Sequence, residues 1–371
     1  MSRQMSRDVH TVEGAAQADV FDRIEAFRRR APRLRDEHVT LAHGAGGKSS
    51  AALLEAVFLP AFHPDGVAGH QDDAAVLTAA GTGRLALSTD SYVVQPIRFP
   101  GGSIGHLAVH GTINDLAMVG ARPQGLSVAF VIEEGLAIAT LRDVVADMAE
   151  AAASAGVPIV CGDTKVVHRG AADGLYVTSS GVGAIPDGRV LGADRVEVGD
   201  AVLVSGPIAE HGIAVMLARG DLAVDADVAS DTAPLHGLVE ALLDAVPDTR
   251  WLRDATRGGV GTVCNELAGD TDLTVVIEEA AVPVRRPVAS ACELLGIDPL
   301  YVANEGRLVA VVPGDRADAA LDAMRAHPHG CDAVRIGEIR AEPPGIVVAV
   351  TALGGTRIVD TLVGDPLPRI C

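Results

Sequence analysis

The chain has 371 residues and a formal net charge of −19, and 48% of its residues are apolar. That length exceeds one ordinary domain and predicts two, each with a core of its own. The acidic balance excludes a nucleic-acid binder, which needs a basic footprint, and no run of about 18 apolar residues is present to span a bilayer.

Residues 1–38 carry Arg and Asp throughout and lack the apolar stretch of a secretory signal, which predicts a cytoplasmic protein. Their weak apolar spacing (Phe21, Ile24, Phe27) and the arginines that follow predict a disordered extension. From Val39 a regular pattern begins. A helix is predicted near 48–59, strands near 74–78 and 84–89, a helix near 103–118, a strand near 126–132, a helix near 140–155, and strands at 159–161 and 175–185. These form one α+β domain over 39–187. A second domain over 188–362 starts with a strand at 201–205. It continues with helices near 209–219, 236–245, 258–268 and 317–326, alternating with strands near 273–277, 308–312, 334–339 and 346–350. Residues 363–371 form a mobile tail. Pro366 and Pro368 favour extended backbone, so Gly364 to Cys371 reaches roughly 25 Å.

The chemistry-bearing residues stand at strand ends and turns. Asp72 and Asp73 (QDDAAVL), Asp90 (LSTDSYV), Asp115 beside Asn114 (TINDLAMVGARP) and Asp163 (VCGDTKVV) are acids bordering apolar strands. Convergent carboxylates repel unless a cation joins them; oxygen-only ligands suit Mg2+, which commonly arrives with a nucleoside triphosphate. Gly44, Gly46 and Gly47 in HGAGGKS open a helix whose exposed amides attract phosphate. A Walker A reading lacks its first glycine, because Ala42 stands there. Asp254 and Thr256 in DATRGGVG precede another helix, as polar ligands for an anion-facing terminus or as a plain cap. His106 and His110 are one turn apart, but Leu107 replaces the glutamate of a zinc hydrolase. The five cysteines, at 161, 264, 292, 331 and 371, contain no CxxC pair and predict neither a disulfide framework nor a cysteine zinc site. Among 30 Lys plus Arg, lysine occurs only at 48 and 165; a compact ammonium, a variable protonation or a tight fit accounts for a lysine kept against that bias, and chance competes with each of these readings.

Taken in order, HGAGGKS, DDAAVL, DSYVVQPIRFPGG, GTINDLAMVGARP, GDTKVV, DATRGGVG, ANEGRLV and the terminal PRIC resemble the HypE family of hydrogenase maturation carbamoyl dehydratases. That family belongs to the AIR synthetase-like (PurM-like) ATP-binding superfamily, with selenophosphate synthetase and thiamine-monophosphate kinase. The resemblance covers Val39 to Cys371, and GDTKVV with a terminal PRIC is its most specific part. Gln71 and Ala255 depart from the usual glycine and proline. The resemblance implies a two-domain α+β architecture, with an N-terminal ferredoxin-like α/β domain, a C-terminal α/β domain and a flexible tail. It implies ATP and Mg2+, the metal held by Asp73, Asp90, Asp115 and Asp163, and a homodimer. It also implies that Cys371 receives an S-carboxamide from the carbamoyltransferase HypF and becomes a thiocyanate, and that its cyanide passes to iron on a HypC–HypD complex. Lys165 and Glu305 are implied near the carboxamide. Lysine titrates far above neutral pH, so Glu305 is read as the base and Lys165 as a fixed charge. The competing readings are a small-molecule ATP-dependent synthetase or kinase of the same superfamily, a non-enzymatic adaptor with a docking tail, and, for Glu305, an ordinary ion pair with Arg307.

Overall fold

The computed structural model describes residue 34 and residues 47–53, 55–56, 75–78, 83–220, 226–362, 364, 367 and 370–371. The N-terminal domain contains α1 (Lys48–Leu53), β1 (Ala75–Thr78), β2 (Arg84–Tyr92), the two-residue strands β3 (Arg98–Phe99) and β4 (Gly102–Ser103), α2 (Ile104–Met118), β5 (Arg122–Glu133), α3 (Ile138–Ala155), β6 (Ile159–Val167) and β7 (Leu175–Ile185). The C-terminal domain contains β8 (Ala201–Val204), α4 (Glu210–Arg219), α5 (His236–Ala245), β9 (Trp251–Asp254), α6 (Gly259–Thr271), β10 (Thr274–Glu278), α7 (Arg286–Leu295), β11 (Leu308–Val312), α8 (Ala317–Arg325), β12 (Val334–Arg340), β13 (Val347–Val350) and β14 (Thr356–Val359).

The first sheet runs β1-β2-β7-β5-β6 and the second β14-β13-β10-β12-β8-β11-β9. In the first sheet only β5 and β6 are parallel, and β6 lies at the edge. A P-loop domain needs a parallel sheet of repeated βαβ units, so this mixed sheet removes the Walker reading. Helix α7 and strands β9 and β14 were not predicted. β9 (WLRD) and β14 (TRIV) are four residues each and carry charges, and α7 opens on Arg-Pro, which reads as a turn although proline is well tolerated in a first helical turn.

Strands alternate sides, and the two faces of the first sheet differ. Ser88, Tyr92, Val128, Val177 and Ser179 are buried beneath α2 and α3. The opposite face carries Leu87, Thr89 and Ser91 on β2 and Thr178, Ser180 and Val182 on β7. Among the described residues its hydroxyls pair with each other, Thr89 with Ser180 at 2.8 Å and Ser91 with Thr178 at 2.9 Å. No described element covers it. Helix α2 is buried along nearly its whole length because it lies between this sheet and the C-terminal domain. Ser103 caps it, its hydroxyl accepting from Gly105 N–H at 3.2 Å. One core cluster runs through both domains and takes in Leu367 and Ile370 of the tail, each 3% exposed. Among the described residues no helix is long and apolar enough to cross a membrane.

Candidate active site

A cavity of about 260 Å³ lies where the part of β2 beyond β1 meets the C-terminal domain. Asp90 and Tyr92 of β2 and Asp115 of α2 form one wall. Asp254, Thr256 and Arg257, at the end of β9 and in the turn after it, form another, with Glu305 beside them. The last residue of the chain, Cys371, completes the lining.

Each side chain is held by its element. The turn carrying Glu305 is fixed by Asn304, whose amide group donates to Ala255 O and Val302 O at 2.8 and 3.2 Å and accepts from Ala209 N–H at 2.7 Å. Glu305 N–H donates to Asp231 Oδ1 at 3.0 Å. Asp254 pairs with Leu308, the first residue of β11, so β9 and β11 bring Asp254 and Glu305 together. Ser88 Oγ donates to Asp115 Oδ2 at 2.5 Å, and Tyr92 Oη donates to Asp90 Oδ2 at 3.0 Å. Residues of the inner face of β2 thereby aim both carboxylates at the cavity.

The electrostatics are those of crowded acids. Glu305 is 3% exposed, and its Oε1 has no hydrogen-bond partner among the described residues. Burial, then Asp254, Asp231 and Asp90, raises its pKa well above the ordinary carboxylate value, and Arg257 opposes them. Asp254 is pushed up to about 7, chiefly by burial, with Arg253 opposing and Asp90 adding to the rise. Arg307 does not pair with Glu305. Its guanidinium donates to Glu210 Oε2 at 3.1 Å and lies 3.7 Å from Asp231 Oδ2, which removes the ordinary ion-pair reading of Glu305.

The other residues singled out in the sequence divide three ways. Gly44, Gly46, Asp72 and Asp73 lie outside the described residues. Gly47 packs against the base of the tail, where a Cβ would stand 2.6 Å from Leu362 O, so no larger residue fits. Asn114 is 1% exposed and its amide is spent on the C-terminal domain: Oδ1 accepts from Leu235 N–H at 2.7 Å, and Nδ2 donates to Ala233 O at 3.1 Å and Glu305 O at 3.5 Å. It ties the domains and steadies Glu305 from behind, and does not line the cavity as a ligand.

Asp163 and Lys165 are not brought to the cavity of their own chain. They sit on β6, exposed along its length, opposite Ala129 and Val131 of β5 and on the uncovered face of the sheet. Among the described residues no group of three His, Cys, Asp or Glu is placed to hold a metal ion.

Sequence reasoning missed Tyr92, Arg257 and Asp231. Tyr92 and Arg257 stand inside motifs already singled out, DSYVVQP and DATRGGVG, two residues from Asp90 and one from Thr256. Asp231 lies in the unpatterned stretch VASDTAP, and only the fold brings it to Glu305. The tail, read as reaching outward, here ends in the cavity of its own chain.

Residues 71–185 match the family description "AIR synthase related protein, N-terminal domain" and residues 197–350 match "AIR synthase related protein, C-terminal domain". The carbamoyl dehydratase HypE of Rhodobacter capsulatus is 54% identical over 342 residues, 91% of this chain and 99% of that protein. A solved HypE in complex with ATP superposes with a TM-score of 0.75 at 46% identity, over 90% of this chain and all (100%) of that one. The HypE of a solved HypE–HypF complex gives 0.78 at 44% identity, over 84% and 100%.

Proposed function

The chain belongs to the HypE family of carbamoyl dehydratases, and on that premise we propose that its ATP-dependent dehydration is carried out on its own last residue, Cys371. The enzyme class and the role in hydrogenase maturation come with the family. The observation that carries the assignment to Cys371 is that it lines the same small cavity as Glu305, Asp90 and Asp115.

The reaction turns a cysteinyl S-carboxamide into a thiocyanate. The amide oxygen takes the γ-phosphoryl group of ATP as the bond to ADP breaks, and the C–O bond then breaks to release phosphate. Both N–H protons are lost from the nitrogen, which ends triply bonded to carbon. A buried carboxylate with a raised pKa is, once ionised, a stronger proton acceptor than an exposed one. Glu305 has that character, an unpaired oxygen and a place in the cavity wall, so it takes the proton. Arg257 lines the same cavity and would neutralise charge on the departing phosphate.

Asp90 and Asp115 both line the cavity and offer oxygen donors of the kind Mg2+ prefers. Asp73, outside the described residues, is proposed to join them. The ion would neutralise charge on the phosphates when bound.

Asp163 and Lys165 are proposed to act across a homodimer. The uncovered sheet face carries Leu87, Val182 and neutral hydroxyls. Such a face suits a second copy laid against it. With the two-fold axis along the strands, β6 of one copy lies over β2 of the other, which delivers Lys165 to the partner's cavity. The carbamoyl group is proposed to come from HypF, since a relative is solved with that protein, and the cyanide to leave to iron on HypC–HypD in the cytoplasm.

Intact mass is the test. After incubation with the carbamoylating enzyme Cys371 gains a carboxamide, and after ATP it loses one water. A modified tail that keeps its mass with ATP present rules the proposal out and leaves a small-molecule ATP-dependent enzyme.

A further inference from the structure

The cavity that Cys371 lines is too small to admit the active site of a second protein. A thiol loaded by another enzyme must therefore leave this cavity to be loaded and return to it to react. The tail has two positions, and something must set the balance between them.

In the docked position three contacts among the described residues hold the tail outside the reacting groups. Ile370 pairs antiparallel with Val94, and Val93 N–H donates to Cys371 O at 3.0 Å. Leu367 lies over α4 at Gly212, where a Cβ would meet Leu367 Cδ1 at 3.2 Å and Val302 Cγ1 at 2.6 Å. The third point is His211. Its Nε2 contacts Ile370 O at 2.5 Å and its Nδ1 contacts Ser230 Oγ at 2.8 Å.

The chemistry of these contacts fixes the proton. A carbonyl oxygen can only accept, so Nε2 must carry the hydrogen and donate to Ile370 O. A neutral ring has one N–H, so Nδ1 accepts from the Ser230 hydroxyl, whose oxygen in turn accepts from Thr232 N–H at 3.2 Å. Ser230 is anchored by its own N–H, which donates to Pro100 O at 2.8 Å. The edge of Phe99 against the ring, centroids 5.4 Å apart, holds the imidazole in plane. His211 is wholly buried, and burial lowers its pKa to about 4, so the ring is neutral at physiological pH. A buried side chain is thus built, tautomer included, to bind one backbone carbonyl of the tail. Val94 belongs to the N-terminal domain and His211 to the C-terminal domain, so Ile370 is clamped by both.

We propose that His211 is the latch of the tail: its hydrogen bond to Ile370 O sets the fraction of time Cys371 spends in the cavity, and it acts as a positioning residue for dehydration. This rests on Cys371 being the carrier, but the latch is tested without that assumption. Loss of the latch has opposite effects on the two halves of the cycle. It exposes the thiol to its loader and withdraws the loaded group from Glu305.

The test uses full-length protein with Cys371 unmodified, treated with iodoacetamide and mapped by peptide mass. Exposed Cys331 serves as an internal rate standard and buried Cys264 and Cys292 report the fold. His211→Phe raises Cys371 alkylation about tenfold, equivalent to ~1.4 kcal/mol of docking. Cys331 is unchanged and Cys264 and Cys292 stay protected. His211→Gln, which keeps an N–H near the position of Nε2, restores the slow rate. If His211→Phe labels Cys264 and so has lost its fold, Ser230→Ala, which removes only the partner of Nδ1, supplies the same measurement with a smaller rise. Unchanged Cys371 alkylation in the folded variants overturns the latch whatever Cys371 does. On protein carbamoylated beforehand, His211→Phe slows thiocyanate formation by a similar factor while loading is as fast as in the wild type or faster. A parallel fall in both steps overturns the positioning role. Absence of any modification in the wild type instead removes Cys371 as carrier and leaves the alkylation result standing.

Discussion

Asp90 and Asp163 lie on opposite faces of one sheet, three strands apart. Asp90 pairs with Ser179, Ser179 with Val128, and Val128 with Gly162, so Asp163, one residue further, points the other way. Strand spacing places the two strands roughly 14 Å apart. The four carboxylates singled out in the sequence therefore cannot form one cluster within a chain. Asp90 and Asp115 share the cavity, and Asp163 belongs with Lys165 on the uncovered face.

Cys371→Ala leaves the fold and ATP binding intact and abolishes carbamoylation. The hydrogen bond from Val93 N–H to Cys371 O and the pairing of Ile370 with Val94 are main-chain contacts, and alanine keeps both. Thermal unfolding within about 2 °C of wild type, together with unmodified intact mass after loading, is the expected pair of results. A variant that still gains the carboxamide moves the carrier to another thiol.

Asp115→Asn weakens Mg2+-dependent ATP binding by about tenfold or more, because the amide keeps the shape and the Ser88 contact but loses the charge that pairs with the cation. Calorimetry with Mg2+ and with EDTA separates the two contributions. Equal affinity for wild type and variant with Mg2+ present makes Asp115 a structural partner of Ser88.

The sequence carried the elements and the local motifs but not the faces. Leu175–Ile185 was legible because one alternating period runs through it, and Ile104–Met118 because it is a long apolar segment, buried along nearly its whole length. Motifs named most of the cavity wall, since Asp90, Asp115, Asp254, Thr256 and Glu305 all stand at strand ends or on the buried helix. Asn114 and Asp115 show the limit. They are adjacent, yet one helical step turns the first toward the C-terminal domain and the second toward Ser88. Lys165 and Glu305 were placed together by resemblance alone, and the register of β6 separates them within a chain. His211 had no signal. It lies in an unremarkable helix start, AEHG, and its role depends on where a segment 159 residues away returns.

Asp254→Asn stabilises the resting protein, and the gain grows with pH. The folded-state pKa is raised, so the carboxyl contributes fully below its unfolded value near 4 and loses that contribution as pH rises through about 7. Asparagine imitates the neutral acid at every pH. In thermal scans without ATP or Mg2+ the variant matches wild type near pH 4.5 and exceeds it by several degrees at pH 8, with roughly 4 kcal/mol as the upper bound. A constant difference across this range places the rise in Asp254's pKa elsewhere. Glu305→Gln follows the same direction for the same cause, and in addition loses at least about 100-fold in dehydration as a base replaced by an amide.

The separation of Lys165 from Cys371 gives a prediction that distinguishes action within a chain from action across a dimer. In each chain Lys165 stands on the exposed edge strand β6, while Cys371 docks beside Val93 at the other side of the sheet. In the proposed homodimer a second copy against the uncovered face exchanges the two edges, and the lysine would serve its partner's cavity. Lys165→Ala and Cys371→Ala are then each inactive as homodimers, the first for lack of the ammonium and the second for lack of the carrier. Mixed dimers regain one working site: the tail of the Lys165→Ala chain reacts in its own cavity with the lysine supplied by the Cys371→Ala chain. After random exchange of subunits, roughly a quarter of wild-type thiocyanate is expected, all of it on the Lys165→Ala chain by intact mass. Adding Lys165→Ala to the Cys371→Ala partner abolishes the recovery. If the simple mixture forms mixed dimers and yields no thiocyanate, Lys165 does not act in trans, and β6 must move within its own chain to reach Cys371.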